Sequence, residues 1–211
     1  MQTDNLDIRN MDCMELMREY PDNHFDLAVV DPPYGIGMSG GNVGYKGGNN
    51  LERKEWDNDI PPNEYFIELR RVSTNQIIWG SNYFPSIWPM KSFIVWDKGN
   101  GFKGRTYAEA ELAGTSHNRC AKVFSYDPLA GRDYVGKMHP TQKPVKLYDW
   151  IFANYAEKGM TILDTHMGSG SIAIAAHYAG MHLTACELDE DYFKAACERI
   201  HEGTSQQTLK L

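Results

Sequence analysis

Four consecutive residues, Asp31-Pro32-Pro33-Tyr34, stand where the apolar run FDLAVV (25–30) stops, and Gly35 and Gly37 follow them. Their types suit work on an exocyclic amino group. The lone pair of such a nitrogen is delocalised into its ring, which makes it a poor nucleophile. Two acceptors bonded to its hydrogens pull it toward tetrahedral geometry and aim the lone pair at an incoming methyl group. The Asp31 carboxylate is one acceptor. The Pro32 carbonyl is the other, since proline keeps its acceptor while losing its donor, and the Pro32-Pro33 step fixes its direction. Tyr34 offers a ring on which a base taken out of a duplex can stack. Such a site works chiefly by positioning. The plainer alternative is a strand stop with Asp31 as a turn cap.

A second constellation lies in TILDTHMGSGSIAIAAHYAGMHLTACELDEDYF (161–193), which reads strand, glycine turn, helix, strand. Gly168-Ser169-Gly170 lets backbone approach a ligand. Glu187 ends the next strand, where an acid can chelate ribose hydroxyls. The spacing is not GxGxxG, and Asp164 precedes the turn. An acid there repels a pyrophosphate and can hold an ammonium group. The expected ligand is nucleotide-like, with an amine and no phosphate, and S-adenosylmethionine meets that description. The alternative is a tight turn with no ligand.

The elements that must position these residues are legible as short apolar runs: 6–10, 25–30, 76–80, 93–97, 110–114, 122–126, 161–165 and 183–188. Helical spacing falls at 13–20, after a candidate Asp12 cap, and at 63–72, 144–155, 171–178 and 192–200. Strands alternating with helices at both ends of the chain predict a doubly wound α/β sheet, in which ligands bind beyond the carboxyl ends of parallel strands. Residues 35–60, rich in Gly and Asn, read as a long mobile loop, and 127–139 as a shorter one. The tryptophans Trp79, Trp88 and Trp96 lie in or beside apolar runs and are expected in the core.

Composition narrows the class. The 211 residues suit one domain, and no run of apolar residues is long enough to span a membrane. The polar N-terminus does not read as a signal peptide. Cys13, Cys120, Cys186 and Cys197 are scattered without a CxxC pair, so no metal site or disulfide framework is expected, and a reduced, cytoplasmic protein is. The net charge of −7 is unevenly spread. Residues 91–146 carry 10 Lys/Arg against 5 Asp/Glu, a basic island in an acidic chain. That is the pattern of a phosphate-binding face, or of a solvated charged surface.

Taken together, Asp31-Pro32-Pro33-Tyr34, HPTQKPVKLYDWIF (139–152), ILDTHMGSGS (162–171) and ACELDEDYF (185–193) resemble the amino-group DNA methyltransferases that use S-adenosylmethionine, in the class with the catalytic motif first. The resemblance runs through roughly residues 6–200. It implies a Rossmann-like, circularly permuted seven-stranded sheet whose last strands in sequence sit at its centre. It gives catalytic roles to Asp31, Pro32, Pro33 and Tyr34. It puts Asp164 near the methionine amine, Gly168, Ser169 and Gly170 under the cofactor, and Glu187 on the ribose. Asp12 and Cys13 match the adenine contact. Thr141, Gln142 and Lys143 flank the methionine end, with Lys143 a candidate for its carboxylate. The turn departs from the usual D-P-F-x-G-S-G-T, with Thr165 for Pro, Ser171 for Thr and His166 for Phe, whose flat ring can still cover the cofactor edge.

An initial Asp in the catalytic motif goes, in the family, mostly with adenine N6; cytosine N4, RNA, and an inactive nucleic-acid-binding subunit are the other readings. The separate recognition region of most relatives is reduced here to residues 127–139. Lys98, Lys103, Arg105, Arg119, Lys122, Arg132 and Lys137 are the candidates for DNA phosphates, and Tyr45 and Lys46 for the strand that loses its base. The resemblance is compatible with a homodimer and a companion endonuclease. The small size resembles a phage or prophage enzyme.

Overall fold

The computed structural model describes residues 1–42, 50–51, 54–133 and 137–205. Ten strands and five α-helices alternate along them. The strands are β1 (Leu6–Asn10), β2 (Phe25–Val30), β3 (Gly41–Asn42), β4 (Asn50–Leu51), β5 (Ser73–Trp79), β6 (Ser92–Asp97), β7 (Ala110–Thr115), β8 (Lys122–Ser125), β9 (Thr161–Asp164) and β10 (His182–Glu187). The helices are α1 (Cys13–Arg18), α2 (Asn63–Val72), α3 (Val145–Tyr155), α4 (Ser171–Ala179) and α5 (Glu190–Ser205). All eight expected strands form, and they make one sheet in the order β1-β10-β9-β2-β5-β7-β6-β8; β3 and β4 pair separately.

The sheet therefore has eight strands rather than seven. The additional one is β8, four residues alternately half-buried and exposed, laid parallel to β6 at the edge. The last strands in sequence, β9 and β10, are interior but off centre; the middle places belong to β2 and β5. The five strands β1, β10, β9, β2 and β5 run parallel, while β7 is antiparallel to both of its neighbours.

Alternation within β2 explains the two layers. Leu27 and Val29 pack on one face with Leu147, Ile151, Ile172 and Ile200 from α3, α4 and α5. Ala28 and Val30 pack on the other with Leu16, Tyr65, Phe66 and Leu69 from α1 and α2. Side chains of a strand point alternately to opposite faces, so a strand buried on both reads as a continuous apolar run. The crossover through α4 carries β9 toward β10, and that through α2 carries β2 toward β5, on opposite sides. Their divergence opens a crevice beyond the carboxyl ends of β9 and β2, where such sheets bind ligands.

One expectation about the tryptophans needs correction. Trp79 and Trp96 are buried, but Trp88 is 39% exposed; its ring stacks on Phe93, and its indole N–H reaches the Ser81 carbonyl at 2.8 Å, so it needs no core site. The described ends of the long loop are pinned. Asp57, buried, accepts from the backbone N–H groups of Tyr34, Gly35 and Met38 at 2.7–2.9 Å. Lys54 pairs with Asp189 at 2.6 Å. Tyr45 and Lys46 lie outside the described residues.

Candidate active site

β2 delivers Asp31 to the crevice. Pro32 and Pro33 then end the strand, and Gly35, at φ +69°, turns the chain back against Ile60. The two Asp31 oxygens have different partners: Oδ1 accepts from the Tyr34 hydroxyl and Oδ2 from the Lys143 ammonium. The Tyr34 ring stacks on Tyr83, with centroids 5.0 Å apart, and lies against Gly80, where a Cβ would overlap it. One face of the ring expected to receive a base is thus already covered.

β9 delivers the second constellation. The Asp164 carboxylate, buried beneath the turn, accepts from the His166 backbone N–H at 3.0 Å. Burial pushes its pKa up to about 8. Gly168 N–H and Asp189 N–H each donate to one oxygen of Glu187 at 2.9 Å, which aims the carboxylate and leaves each oxygen a further lone pair. Gly170, at φ +72°, starts α4; a Cβ there would come within 2.8 Å of Ile200.

One cavity of about 360 Å³ joins these parts. Asp31, Pro33 and Lys143 line it together with Gly168, Ser169 and Glu187, and Asp12, Cys13, Thr141, Gln142 and His166 add to the wall. Asp12 also caps α1, accepting from Met14 and Glu15 N–H at 2.8 and 3.1 Å. Burial pushes the Cys13 thiol up to about 11, so no thiolate nucleophile is offered. His166 stands edge-on to Tyr65 and is held neutral by burial, its pKa lowered to about 4. Four expected residues do not line the cavity: Asp164 and Pro32 are buried, Gly170 caps α4, and Tyr34 is hydrogen-bonded to Asp31.

Lys143 is also not where it was expected. Its ammonium sits between Asp31 and Glu111, 3.1 Å from Glu111 Oε2, instead of standing free for a ligand carboxylate. Lys98 is 2.6 Å from the other Glu111 oxygen and over the Trp96 and Phe102 rings; buried and paired, it is withdrawn from any DNA face. Arg119 donates to the Asn154 carbonyl. Lys122 is half-buried on β8, and Lys137 is half-buried, its pKa lowered to about 8 by burial and by Lys98. Lys103, Arg105 and Arg132 are exposed. Among the described residues no His/Cys/Asp/Glu group could hold a metal, and no helix is long and apolar enough to cross a membrane.

Sequence reasoning missed Glu111, Trp56, His139 and Tyr192. Trp56 stacks on His139 at 5.3 Å, His139 packs on Tyr192 at 4.4 Å, and all three line the cavity. Burial lowers the His139 pKa to about 3 and keeps it neutral. A signal existed for Glu111, an acid inside the apolar strand AELAG, and for His139, which opens HPTQKP. None existed for Trp56, in an aperiodic loop.

Comparison with known proteins decides the family. The DNA methylase model for N6/N4 methyltransferases matches residues 86–198, more than half of the chain. This chain belongs to the DNA methylase family. The match spans the cofactor-turn half of this methylase and begins after Asp31-Pro32-Pro33-Tyr34. YubD of Escherichia coli (strain K12), a provisionally named methylase, is 28% identical over 206 residues, 90% of this chain and 87% of that protein. The type II methyltransferase M2.MboI of Moraxella bovis is 25% identical over 245 residues, 95% of this chain and 89% of that protein. The M1.HpyAVI–SAM complex shares the fold at a TM-score of 0.65 and 19% identity, over 92% of this chain and 98% of that one. The cytosine-N4-specific PvuII DNA methyltransferase does so at 0.62 and 14%, over 96% and 92%. The Rossmann-like α/β architecture is that of these neighbours, and methylation of an amino group in DNA is the family's reaction.

Proposed function

We propose that this methylase transfers a methyl group from S-adenosylmethionine to the N6 of an adenine turned out of duplex DNA. The observation that carries the reading is one cavity lined by both Asp31 and Glu187. The donor set fits the cofactor. Glu187 on the wall would suit a ribose diol, Met11, Met167 and Leu188 offer apolar wall, and Lys143, the lysine lining the cavity among the described residues, is already paired. That set favours a nucleoside with an amine and disfavours a phosphate. When bound, the cofactor supplies an electrophilic methyl on sulfur.

The chain's own residues do the rest. Glu187 holds the ribose hydroxyls, and Asp164 meets the methionine amine through the turn. Asp31 Oδ1 accepts one N–H of the target amine through its second lone pair, and the Pro32 carbonyl accepts the other. Bound there, the cofactor would supply the methyl group, while Asp31 Oδ1 and the Pro32 carbonyl would hold the two hydrogens of the target nitrogen, one of which would leave to solvent as a proton. Tyr34, backed by Tyr83, offers its remaining face or edge to the base. Residues 1–211 act as one methyltransferase domain, with 127–139 as a short recognition loop and Lys103, Arg105 and Arg132 on phosphates. The setting is a bacterial or phage-encoded cytoplasmic enzyme, and a homodimer and a companion endonuclease belong to the same reading.

The test is incubation with tritiated-methyl S-adenosylmethionine and unmethylated DNA, followed by digestion to nucleosides. Labelled N6-methyladenine is expected. Labelled N4-methylcytosine would keep the mechanism and overturn the base, and label in RNA alone would overturn the substrate.

A further inference from the structure

Four alternating charges form a chain that starts at the cavity wall: Asp31, Lys143, Glu111 and Lys98. The Lys143 side chain is 3% exposed and that of Asp31 15%. We propose that Lys143 is a positioning residue for methyl transfer, holding Asp31 ionised and its Oδ1 turned to the target amine, with Glu111 and Lys98 fixing the lysine in turn. The inference rests on the reading above.

A carboxyl group must be ionised to accept from an amine N–H; once protonated, one oxygen donates instead. Burial works against ionisation and pushes the Asp31 pKa up. The groups around it add to the difficulty. Glu111 on β7 and Asp164 at the end of β9 are acids, and Tyr148 on α3 brings no positive charge. Tyr34 donates one hydrogen bond. Lys98 and Lys137 face Glu111 and Lys143 behind it. Lys143 is the one cation paired with Asp31 among the described residues. Burial alone would lower its own pKa, but Asp31 and Glu111 more than offset this and keep it charged.

The backbone of Lys143 is anchored to the other constellation. Its carbonyl accepts from the Ser171 hydroxyl at 2.6 Å, in the first turn of α4, and Arg199 reaches Ser171 at 3.0 Å and the Ser169 carbonyl at 2.7 Å. One residue thus ties the glycine turn to the catalytic carboxylate.

The test follows the Asp31 carboxyl by 13C NMR titration, identified by its absence in Asp31→Asn, together with the pH profile of kcat/KM and calorimetric S-adenosylmethionine affinity. In Lys143→Met the Asp31 midpoint and the acid limb of the profile should both rise by at least about one pH unit. Lys143→Arg should restore most of the shift, and cofactor affinity should stay within about threefold. Lys143→Gln, which keeps a polar side chain without the charge, should shift both upward in the same way and decides the matter if Lys143→Met does not fold. An unmoved midpoint in these uncharged variants overturns the proposal. So does a tenfold loss of cofactor affinity with an unmoved midpoint, which would give Lys143 to the cofactor carboxylate. If the wild type methylates no nucleic acid, the functional reading fails while the titration still decides what Lys143 does to Asp31.

Discussion

Asp31, partly buried on the cavity wall, and Asp164, fully buried, are both acids at strand ends, and their surroundings separate them. Asp31 has a cation bonded to it; Asp164 has one backbone N–H. Replacing Asp31 by Ala should cut methyl transfer at least about a hundredfold while cofactor affinity, measured by calorimetry, stays nearly unchanged. A large loss of affinity would mean that the acid belongs to the cofactor. Asp164, with its pKa near 8, carries a proton at pH 7. An ammonium group docking beside it should expel that proton. Calorimetry at pH 7 in buffers of different ionisation enthalpy should therefore show release of about one proton per S-adenosylmethionine bound, and none in Asp164→Asn. The sign for stability follows from the same shift. Protonation of Asp164 stabilises the fold fully below its unfolded pKa of 3.8, and this is lost as pH rises through about 8. Asp164→Asn should accordingly gain in Tm relative to wild type progressively as pH rises from about 4 to about 8, and keep that gain above it.

At the scale of elements, β5 supports the catalytic turn from outside the motif. Gly80 follows β5 at φ +67° and lies against the Tyr34 ring, so Gly80→Ala is strained in backbone and pushes the ring off its seat. Methyl transfer should fall at least about tenfold with cofactor affinity retained; equal loss of both would place the damage in the fold. Trp56, Asp57 and Lys54 act together from the far end of the long loop. Asp57 holds the backbone just after Pro33, Trp56 covers His139, and Lys54 pairs with Asp189 beyond the acid strand. A side chain from a segment without periodicity thus sets the geometry of the turn that carries the catalytic acid.

Across the whole molecule, the basic island does not act as one surface. Fold position divides it. Lys98 and Lys143 are inside, paired with acids, while Lys103, Arg105 and Arg132 face solvent. Removing the three exposed charges should reduce the slope of log DNA affinity against log salt by about 2–3, with little change in Tm. Lys98→Met should do the reverse. It strips Glu111 of one partner and should cost roughly 3 kcal/mol of stability, read by denaturant unfolding, and leave the salt slope alone.

Much of this was legible along the chain because the controlling interactions are local. The LAVV stretch of FDLAVV marks an interior strand, since a continuous apolar run is stable only when both faces are covered, and Pro32-Pro33 must end it. The 63–72 helix is read correctly to the residue, between Pro61-Pro62 and a β-branched strand. The glycine turn and Glu187 were likewise set by spacing, and the cavity brings Asp31 to them as expected. What the sequence could not decide are pairings between distant elements. Lysines read as one basic patch were divided by burial, because a charge enters the interior only beside its opposite, and Glu111, Lys98 and Lys143 meet only once β7, β6 and the segment before α3 are side by side. The place of Trp56 over His139, the seat of Tyr34 on Gly80 and Tyr83, and the eighth strand at the sheet's edge are of the same kind. Each depends on a neighbour that sequence distance hides and tertiary packing supplies.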